Sequence, residues 1–201
     1  MTDTKRMGRP RTFNEGDALL AAMNTFWTKG YDGTSMKDLT AAMGISGPSL
    51  YSAFGDKREL YLKTIDRYAD VDGCAPIVAF EAEQDIAKAV HDFLESVILY
   101  STAEHGGAKG CFLASCVSTS VGEVEGVAER MEDAIAGTDD RLAKRFETEK
   151  AAGTLRPDFP SKARGALMQD MRQGYVFRTR AGATPAQMLS DLDDRVKMIL
   201  S

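Results

Sequence analysis

The sequence predicts an all-α protein, in which a small N-terminal helical domain precedes a larger helical one. Apolar residues recur at three- and four-residue spacing through most of the chain, as they do along one face of a helix. Capping residues precede several of these segments, and glycines follow them. The 201 residues are 43% hydrophobic and 27% charged, which is typical of a folded globular protein. We expect three regions: a basic arm at 1–12, a first domain at 13–73 and a second at 74–201.

The first predicted helix extends from about Glu15 to Lys29. Asn14 is a suitable N-cap, and Gly30 can adopt the left-handed conformation that ends many helices. One apolar face recurs at helical spacing: Leu19, Ala22, Met23, Phe26 and Trp27. We expect this helix to support the two that follow.

Residues 34–54 predict two short helices joined by a tight turn. Ser35 and Asp38 have the spacing of a capping box. Gly44 can adopt the positive φ of a sharp turn, and Ser46 can cap the second helix. Helices this short are marginal in isolation, so neighbouring helices must hold them. The pair has the form of a helix-turn-helix DNA reader, whose second helix enters the major groove.

The net charge of −5 argues against nucleic acid, but its distribution does not. Residues 1–60 carry +1 and residues 61–201 carry −6. The first residues form a basic arm with four cations, Lys5, Arg6, Arg9 and Arg11. This arm could reach a minor groove or the phosphates of DNA. The alternative is a tail without a function. Lys57 follows the helix pair, in a first helical turn, where a cation is unfavourable unless an anion lies nearby.

The run from Phe13 to Tyr68 resembles the DNA-binding domain of the TetR family of bacterial transcriptional regulators. It covers about the first third of the chain, in the order and spacing of the family pattern. The matching residues are Phe26, Gly30, Tyr31, Thr34, Ser35, Asp38, Leu39, Gly44, Ile45, Ser46, Leu50, Tyr51, Phe54, Lys57 and Leu60. The resemblance implies an all-helical homodimer with an N-terminal three-helix DNA-binding domain and a larger domain for ligand binding and dimerisation.

The resemblance also implies which side chains contact double-stranded operator DNA. Residues of the recognition helix would face bases: Ser46, Gly47, Pro48, Ser49, Ser52 and Ala53. Residues around it would contact phosphates: Thr34, Ser35, Lys37, Tyr51 and Lys57. The arm would add Arg9 and Arg11. Pro48 departs from the glycine usual in the family, which would alter the first turn of this helix and its base preference.

Longer helices are predicted after residue 74. We expect helices at 85–104, at 111–116, at 123–151 with a break near Gly137 as one alternative, at 161–181 and at 185–200. In the family, the last two helices of each subunit pack as a four-helix dimer interface. Bulky apolar residues of this region could line a pocket for a small-molecule effector. These residues are Phe93, Val97, Tyr100, Phe112, Met131, Met168, Met171 and Tyr175. The alternative is that they fill the core in the ordinary way.

No constellation of residues predicts catalysis, a cofactor or a metal. His91 and Glu95 are four residues apart, which fits a solvated polar pair better than a metal site. Cys111 and Cys116 are expected to be buried structural thiols, with a sensing role as the alternative. The alternative for the whole chain is a helical small-molecule-binding protein or enzyme without a DNA-binding role, and a further one is a DNA-binding protein without an effector.

The location predicted for the chain is cytoplasmic. No apolar run has the roughly 18 residues that a membrane span needs, and the N-terminal residues are polar and basic. Three irregularly spaced cysteines predict no disulfide framework. The sequence therefore favours a homodimeric transcriptional regulator, most simply a repressor released from DNA by a small molecule, and leaves the effector and the operator sequence open.

Overall fold

A computed structural model describes residues 13–105 and 107–201. Within those ranges the chain forms α-helices, a π-helical turn and a 3₁₀ turn, without a β-strand. The helices are α1 Glu15–Lys29, α2 Met36–Met43, α3 Gly47–Phe54, α4 Lys57–Arg67, α5 Ala75–Ala82, α6 Ile86–Thr102, α7 Phe112–Ser115, α8 Val127–Ala152, α9 Ser161–Arg180, α10 Pro185–Leu189 and α11 Leu192–Leu200. The π-helical turn Tyr68–Asp72 continues α4, and the 3₁₀ turn Val117–Ser120 follows α7. The predicted all-α fold is confirmed.

Side-chain caps begin the N-terminal helices where the sequence predicts them. The Asn14 side chain accepts from the backbone N–H groups of Gly16 and Asp17 at the start of α1. Ser35 forms a reciprocal capping box with Asp38 at the start of α2. These bonds satisfy N–H groups that have no partner within a helix, so they stabilise helices too short to persist alone.

The first core joins the N-terminal helices to α7. The Phe26 and Tyr61 rings meet edge to face with their centroids 4.8 Å apart. The Trp27 ring lies 5.7 Å from the ring of Phe112, which belongs to α7. Residues from 13–73 and from 111–127 therefore share one apolar cluster. The domain boundary expected at residue 73 falls at the end of the π-helical turn and stays a prediction.

The second core lies among α5, α6 and α8–α11. Helices α8 and α9 make its most extensive contact. Gly165 allows their close approach, because a Cβ there would lie 3.0 Å from the backbone nitrogen of Ala143. A core of this kind fixes α9 and α11 against each other.

Three details differ from the sequence prediction. Helix α8 begins at Val127 and continues unbroken through Gly137, since one glycine costs a helix only about 1 kcal/mol relative to alanine. Helix α5 was not predicted; Pro76 lies in its first turn, where the missing N–H of proline is tolerated. The predicted helix at 185–200 is two helices, and the Ser190 hydroxyl donates to the Gln187 carbonyl where α10 ends. None of the helices in the described residues is long and apolar enough to cross a membrane.

Candidate nucleic-acid interface

Helices α2 and α3 meet at a sharp turn that exposes one face of α3. Gly44 has φ 65° at this turn, in the left-handed region that favours glycine. The Ser46 Oγ accepts from the Ser49 N–H at 3.3 Å and shares a hydrogen bond with the Ser49 Oγ at 2.9 Å. Leu50 and Phe54 are buried beneath α3. The helix is thus fixed from inside and from its first turn.

The outward face of α3 carries small or uncharged side chains. Pro48, Tyr51 and Ser52 are exposed, and the Tyr51 side chain is 56% exposed. Gly47 and Ala53 are half-buried. A helix with this face can approach base edges closely, because no bulky charged group must be desolvated or moved aside.

The C-terminal end of α3 is held by a lysine that the sequence reasoning missed. Lys63 of α4 donates from Nζ to the Phe54 carbonyl at 3.1 Å, and it lies over the Phe54 ring at 5.8 Å. A cation at this end of a helix also complements the helix dipole. The sequence shows only that Lys63 belongs to the helix after α3, and this position alone does not predict the contact with Phe54.

The cations predicted to contact phosphates flank α3. Lys37 is exposed on α2. Lys57 is half-buried, and its Nζ lies 4.3 Å from the centroid of the Tyr31 ring. The ring stabilises the ammonium group without neutralising its charge, so Lys57 keeps a cation beside the recognition helix.

Two predicted phosphate contacts have internal partners. Thr34 is only 1% exposed, and its hydroxyl donates to the Gly30 carbonyl at 2.6 Å. Its side chain therefore faces the interior, because it closes the turn after α1, and we leave it out of the proposed contacts. The Ser35 hydroxyl is exposed but donates to the Asp38 carboxylate at 2.5 Å. Arg9 and Arg11 lie outside the described residues.

Lys29 does not add to the positive face. Its Nζ lies 2.6 Å from the Asp38 carboxylate. This hydrogen bond, together with those from Ser35, holds the pKa of Asp38 well below its usual range. The pair is neutral near physiological pH, so it contributes little attraction to DNA.

Comparison with known proteins identifies the N-terminal domain. Residues 18–64, which include the whole helix-turn-helix, match the family model of bacterial regulatory proteins, tetR family. The chain carries a TetR-type DNA-binding domain. It is 27% identical over 186 residues to the HTH-type transcriptional repressor ComR of Escherichia coli (strain K12), covering 92% of this chain and 88% of that protein. It is 28% identical over 170 residues to the HTH-type transcriptional repressor BdcR of the same organism, covering 84% of each.

The TetR fold extends over nearly the whole chain. A cysteine mutant of the TetR family transcriptional regulator CifR, solved with a 26-bp double-strand operator DNA, superposes with a TM-score of 0.83. It is 24% identical and covers 94% of this chain and 98% of that one. The chain with this TetR-type domain is a DNA-binding transcriptional regulator, and the relatives it matches are regulators rather than enzymes.

Ser115 connects α1 with α9. The Trp27 indole donates from Nε1 to the Ser115 Oγ at 3.0 Å. Arg180 of α9 donates from Nη1 to the Ser115 carbonyl at 2.8 Å. Close by, the Cys116 thiol donates to the Phe26 carbonyl at 3.2 Å. A displacement of α9 can therefore reach α1 through one short segment.

The eight residues predicted to line an effector pocket do not surround one cavity. Only two of them, Val97 and Tyr100, line a narrow cavity of 10 Å³ beside Cys111. The others are packed into the two cores, because their apolar surface is buried against neighbouring helices: Phe112 and Met131 in the first, and Phe93, Met168, Met171 and Tyr175 in the second. The core-filling alternative therefore holds for these six residues.

A larger cavity of 180 Å³ adjoins the narrow one. Tyr68, Gly73 and Arg172 line both cavities. Arg172 was not predicted, since an arginine within an amphipathic helix reads as a solvated residue. It is nevertheless buried, with 9% of its surface exposed.

The cysteine and histidine candidates have ordinary partners. Burial raises the pKa of the Cys116 thiol, which disfavours the reactive thiolate. Cys111 is also buried. Potential ligand atoms of His91, Asp92 and Glu95 lie within 4.8 Å of one another on α6, but Lys88 forms an ion pair with Asp92. This group is half-exposed, and the interpretation of His91 and Glu95 as a solvated polar pair stays a prediction.

Proposed function

We propose that this protein is a repressor that binds a palindromic operator as a homodimer and leaves it when a small molecule binds the C-terminal helices. The observation that carries the proposal is the exposed, uncharged face of α3, which is capped by Ser46, anchored by Lys63 and flanked by Lys57. The repressors ComR and BdcR support this direction of regulation, and the operator-bound CifR supports binding to operator DNA. Such a protein acts on bacterial DNA in the cytoplasm.

An exposed aromatic residue on α9 supports the homodimer. Gly174 and Phe177 are exposed on this helix, and Leu167 and Met171 precede them at helical spacing, half-buried against the second core. Phe177 is 74% exposed in the single chain, and a Cβ at Gly174 would meet no atom within 4 Å. Exposed aromatic surface of this kind usually marks an interface, and two copies would present two recognition helices to successive major grooves.

Ser115 supports coupling between effector and operator. Its hydroxyl and carbonyl bind α1 and α9 respectively, so two arrangements of α9 would bias the position of α1. An effector shifts operator affinity only by its preference for one of these arrangements.

Operator selection from a random DNA pool tests the proposal. We expect a palindromic sequence to be enriched and the purified dimer to bind it more tightly than random DNA. Enrichment of no sequence, with equal weak binding to all DNA at two salt concentrations, would favour the helical protein without a DNA-binding role. Enrichment of a single half-site would contradict the palindrome.

Substitution of Lys57 by alanine is expected to weaken binding to operator and random DNA alike. Loss of one phosphate contact releases about one counterion fewer, so the slope of log affinity against log salt becomes shallower by roughly one. Fluorescence anisotropy at several salt concentrations measures this slope. Lys144→Ala on α8 is the matched control, because it removes an exposed lysine that is distant from α3 in the chain and lies outside the proposed dimer interface. An unchanged slope for Lys57→Ala excludes the phosphate contact.

Substitution of Pro48 by glycine is expected to change which bases are preferred. Pro48 is exposed in the first turn of α3, and its ring limits which side chains and bases can approach there. Repeating the selection with Pro48→Gly should alter about one base pair in each half-site by roughly 1–3 kcal/mol. The opposite result, equal loss on the operator and on random DNA, would assign Pro48 to folding rather than to base reading.

A further inference from the structure

We propose that the effector is a small organic monocarboxylate, bound where Tyr68 and Arg172 face the 180 Å³ cavity beside α8. The inference rests on the proposed function for its regulatory meaning, but the binding site itself does not. Three independent features identify the ligand chemistry: the partners of Arg172, the Tyr68 hydroxyl, and the charges at the cavity mouth.

Arg172 is a buried cation without an anionic partner. Its Nη2 donates to the Gly73 carbonyl at 3.2 Å, which is its one hydrogen bond among the described residues. None of the carboxylates that the structure describes forms an ion pair with it. A buried charge is costly unless it is paired, and a planar guanidinium with free donors fits a carboxylate. The remaining donors of Arg172 are therefore suited to an exogenous anion.

The Tyr68 hydroxyl is a second donor, and the polar group beside it is the Cys111 thiol, a weak acceptor. The side chain is 1% exposed, and its Oη forms no hydrogen bond. Burial raises the pKa of this hydroxyl well above its ordinary value, so it remains a donor near neutral pH. An unsatisfied buried hydroxyl costs about 1–3 kcal/mol, and a ligand oxygen would recover that cost.

The cavity favours one negative charge over two. Asp70 and Asp133 line it and are exposed, so they would repel a second charge on the ligand. Arg141 also lines it, but its guanidinium is bound to both carboxylate oxygens of Glu81 at 2.7 and 2.6 Å. Only Arg172 is left to neutralise an anion, which fits a carboxylate and disfavours a phosphate dianion.

The rest of the cavity favours a short apolar ligand body. Ile77, Leu113 and Ala134 contribute apolar walls. Gly137 of α8 contributes no side chain, and a Cβ there would meet nothing within 4 Å. A cavity of about 150 Å³ is enough for benzene, so 180 Å³ accommodates a compact organic acid.

Acids and their uncharged amides provide the test. Acetate, propionate, butyrate and benzoate are titrated into the full chain without DNA, beside the four corresponding amides. Trp27 reports binding, because it is the only tryptophan and its ring lies 5.7 Å from that of Tyr68. We expect at least one acid to bind roughly tenfold or more tightly than its amide. Equal responses to every acid and its amide, or no response in the whole series, would overturn the proposal.

Variants separate ligand binding from folding. Tyr68→Phe removes a buried hydroxyl, and Arg172→Met removes a buried charge without an anionic partner together with its hydrogen bond to the Gly73 carbonyl. We therefore expect the melting temperature to change little while the preference for the acid falls about tenfold. Arg178→Met is the charge-matched control on the exposed side of α9. A lower melting temperature for Arg172→Met with an undiminished preference for the acid would show that Arg172 is structural and overturn the assignment.

A variant that fills the cavity tests the binding site without changing Arg172. Gly137→Leu adds a side chain where no atom obstructs the Cβ and should also favour the helix, so we expect a folded protein that no longer binds the acid. Ala136→Leu is the matched control, since Ala136 is exposed and does not line the cavity. Acid binding retained by Gly137→Leu would place the ligand elsewhere. If acid binding passes these tests while operator selection fails, the site stands and the regulatory proposal does not.

Discussion

Substitution of Phe177 by glutamate is expected to convert the protein into a monomer and to lower its operator affinity by about 10²–10⁴-fold. Phe177 is 74% exposed on α9 of the single chain. In the proposed dimer its ring would be buried against the partner, where an unpaired carboxylate is strongly unfavourable. A monomer engages one half-site and loses the gain from linked binding of the second. Sedimentation analysis measures the mass, and fluorescence anisotropy measures the operator affinity.

A matched substitution tests whether the position or the charge is responsible. Val78 is also an exposed apolar residue, but it lies on α5, outside the proposed interface. Val78→Glu should leave both the dimer and operator binding unchanged. If Phe177→Glu remains a dimer with undiminished operator affinity, α9 is not the dimer interface and Phe177 needs another explanation.

Substitution of Phe26 by alanine is expected to lower the free energy of unfolding by about 3–5 kcal/mol. The Phe26 side chain is fully buried, and its ring contacts those of Tyr31 and Tyr61 at 6.1 and 4.8 Å between centroids. These two neighbouring rings are rigid, so they cannot readily fill the space that the substitution leaves. Urea denaturation followed by circular dichroism measures the loss.

Leu20 on the same helix provides the control for Phe26. It lies at the exposed margin of α1, so Leu20→Ala should cost under about 1 kcal/mol. We also expect Phe26→Ala to weaken operator binding, because the first core positions α2 and α3. A loss of stability for Phe26→Ala no larger than that of Leu20→Ala would contradict the importance assigned to this core.

The sequence was sufficient for the helix-turn-helix because its signals are local. The Ser35–Asp38 capping box and the glycine at position 44 each specify a backbone conformation within a few residues. The end of α8 at Gly153, with φ 79°, is predictable for the same reason.

The cavity could not be predicted, because it depends on contacts between distant segments. Arg172 is separated by 99 residues from Gly73, whose carbonyl it binds. Helical spacing predicts which side of α9 is buried. It does not predict whether an arginine on that side contacts a carboxylate, a water molecule or a ligand. Phe112 was likewise predicted only as a bulky apolar residue that could line a pocket, and its ring packs beside that of Trp27.

The core shared by Trp27 and Phe112 has a consequence for cooperativity. A fragment ending at residue 73 would lack Phe112, Cys116 and Val117, and it would leave the Trp27 and Tyr61 rings partly in water. The DNA-reading segment therefore cannot keep its native stability as an excised module. Its unfolding is linked to that of α7, so any ligand that stabilises the C-terminal helices through α7 also resists local opening of the recognition helix.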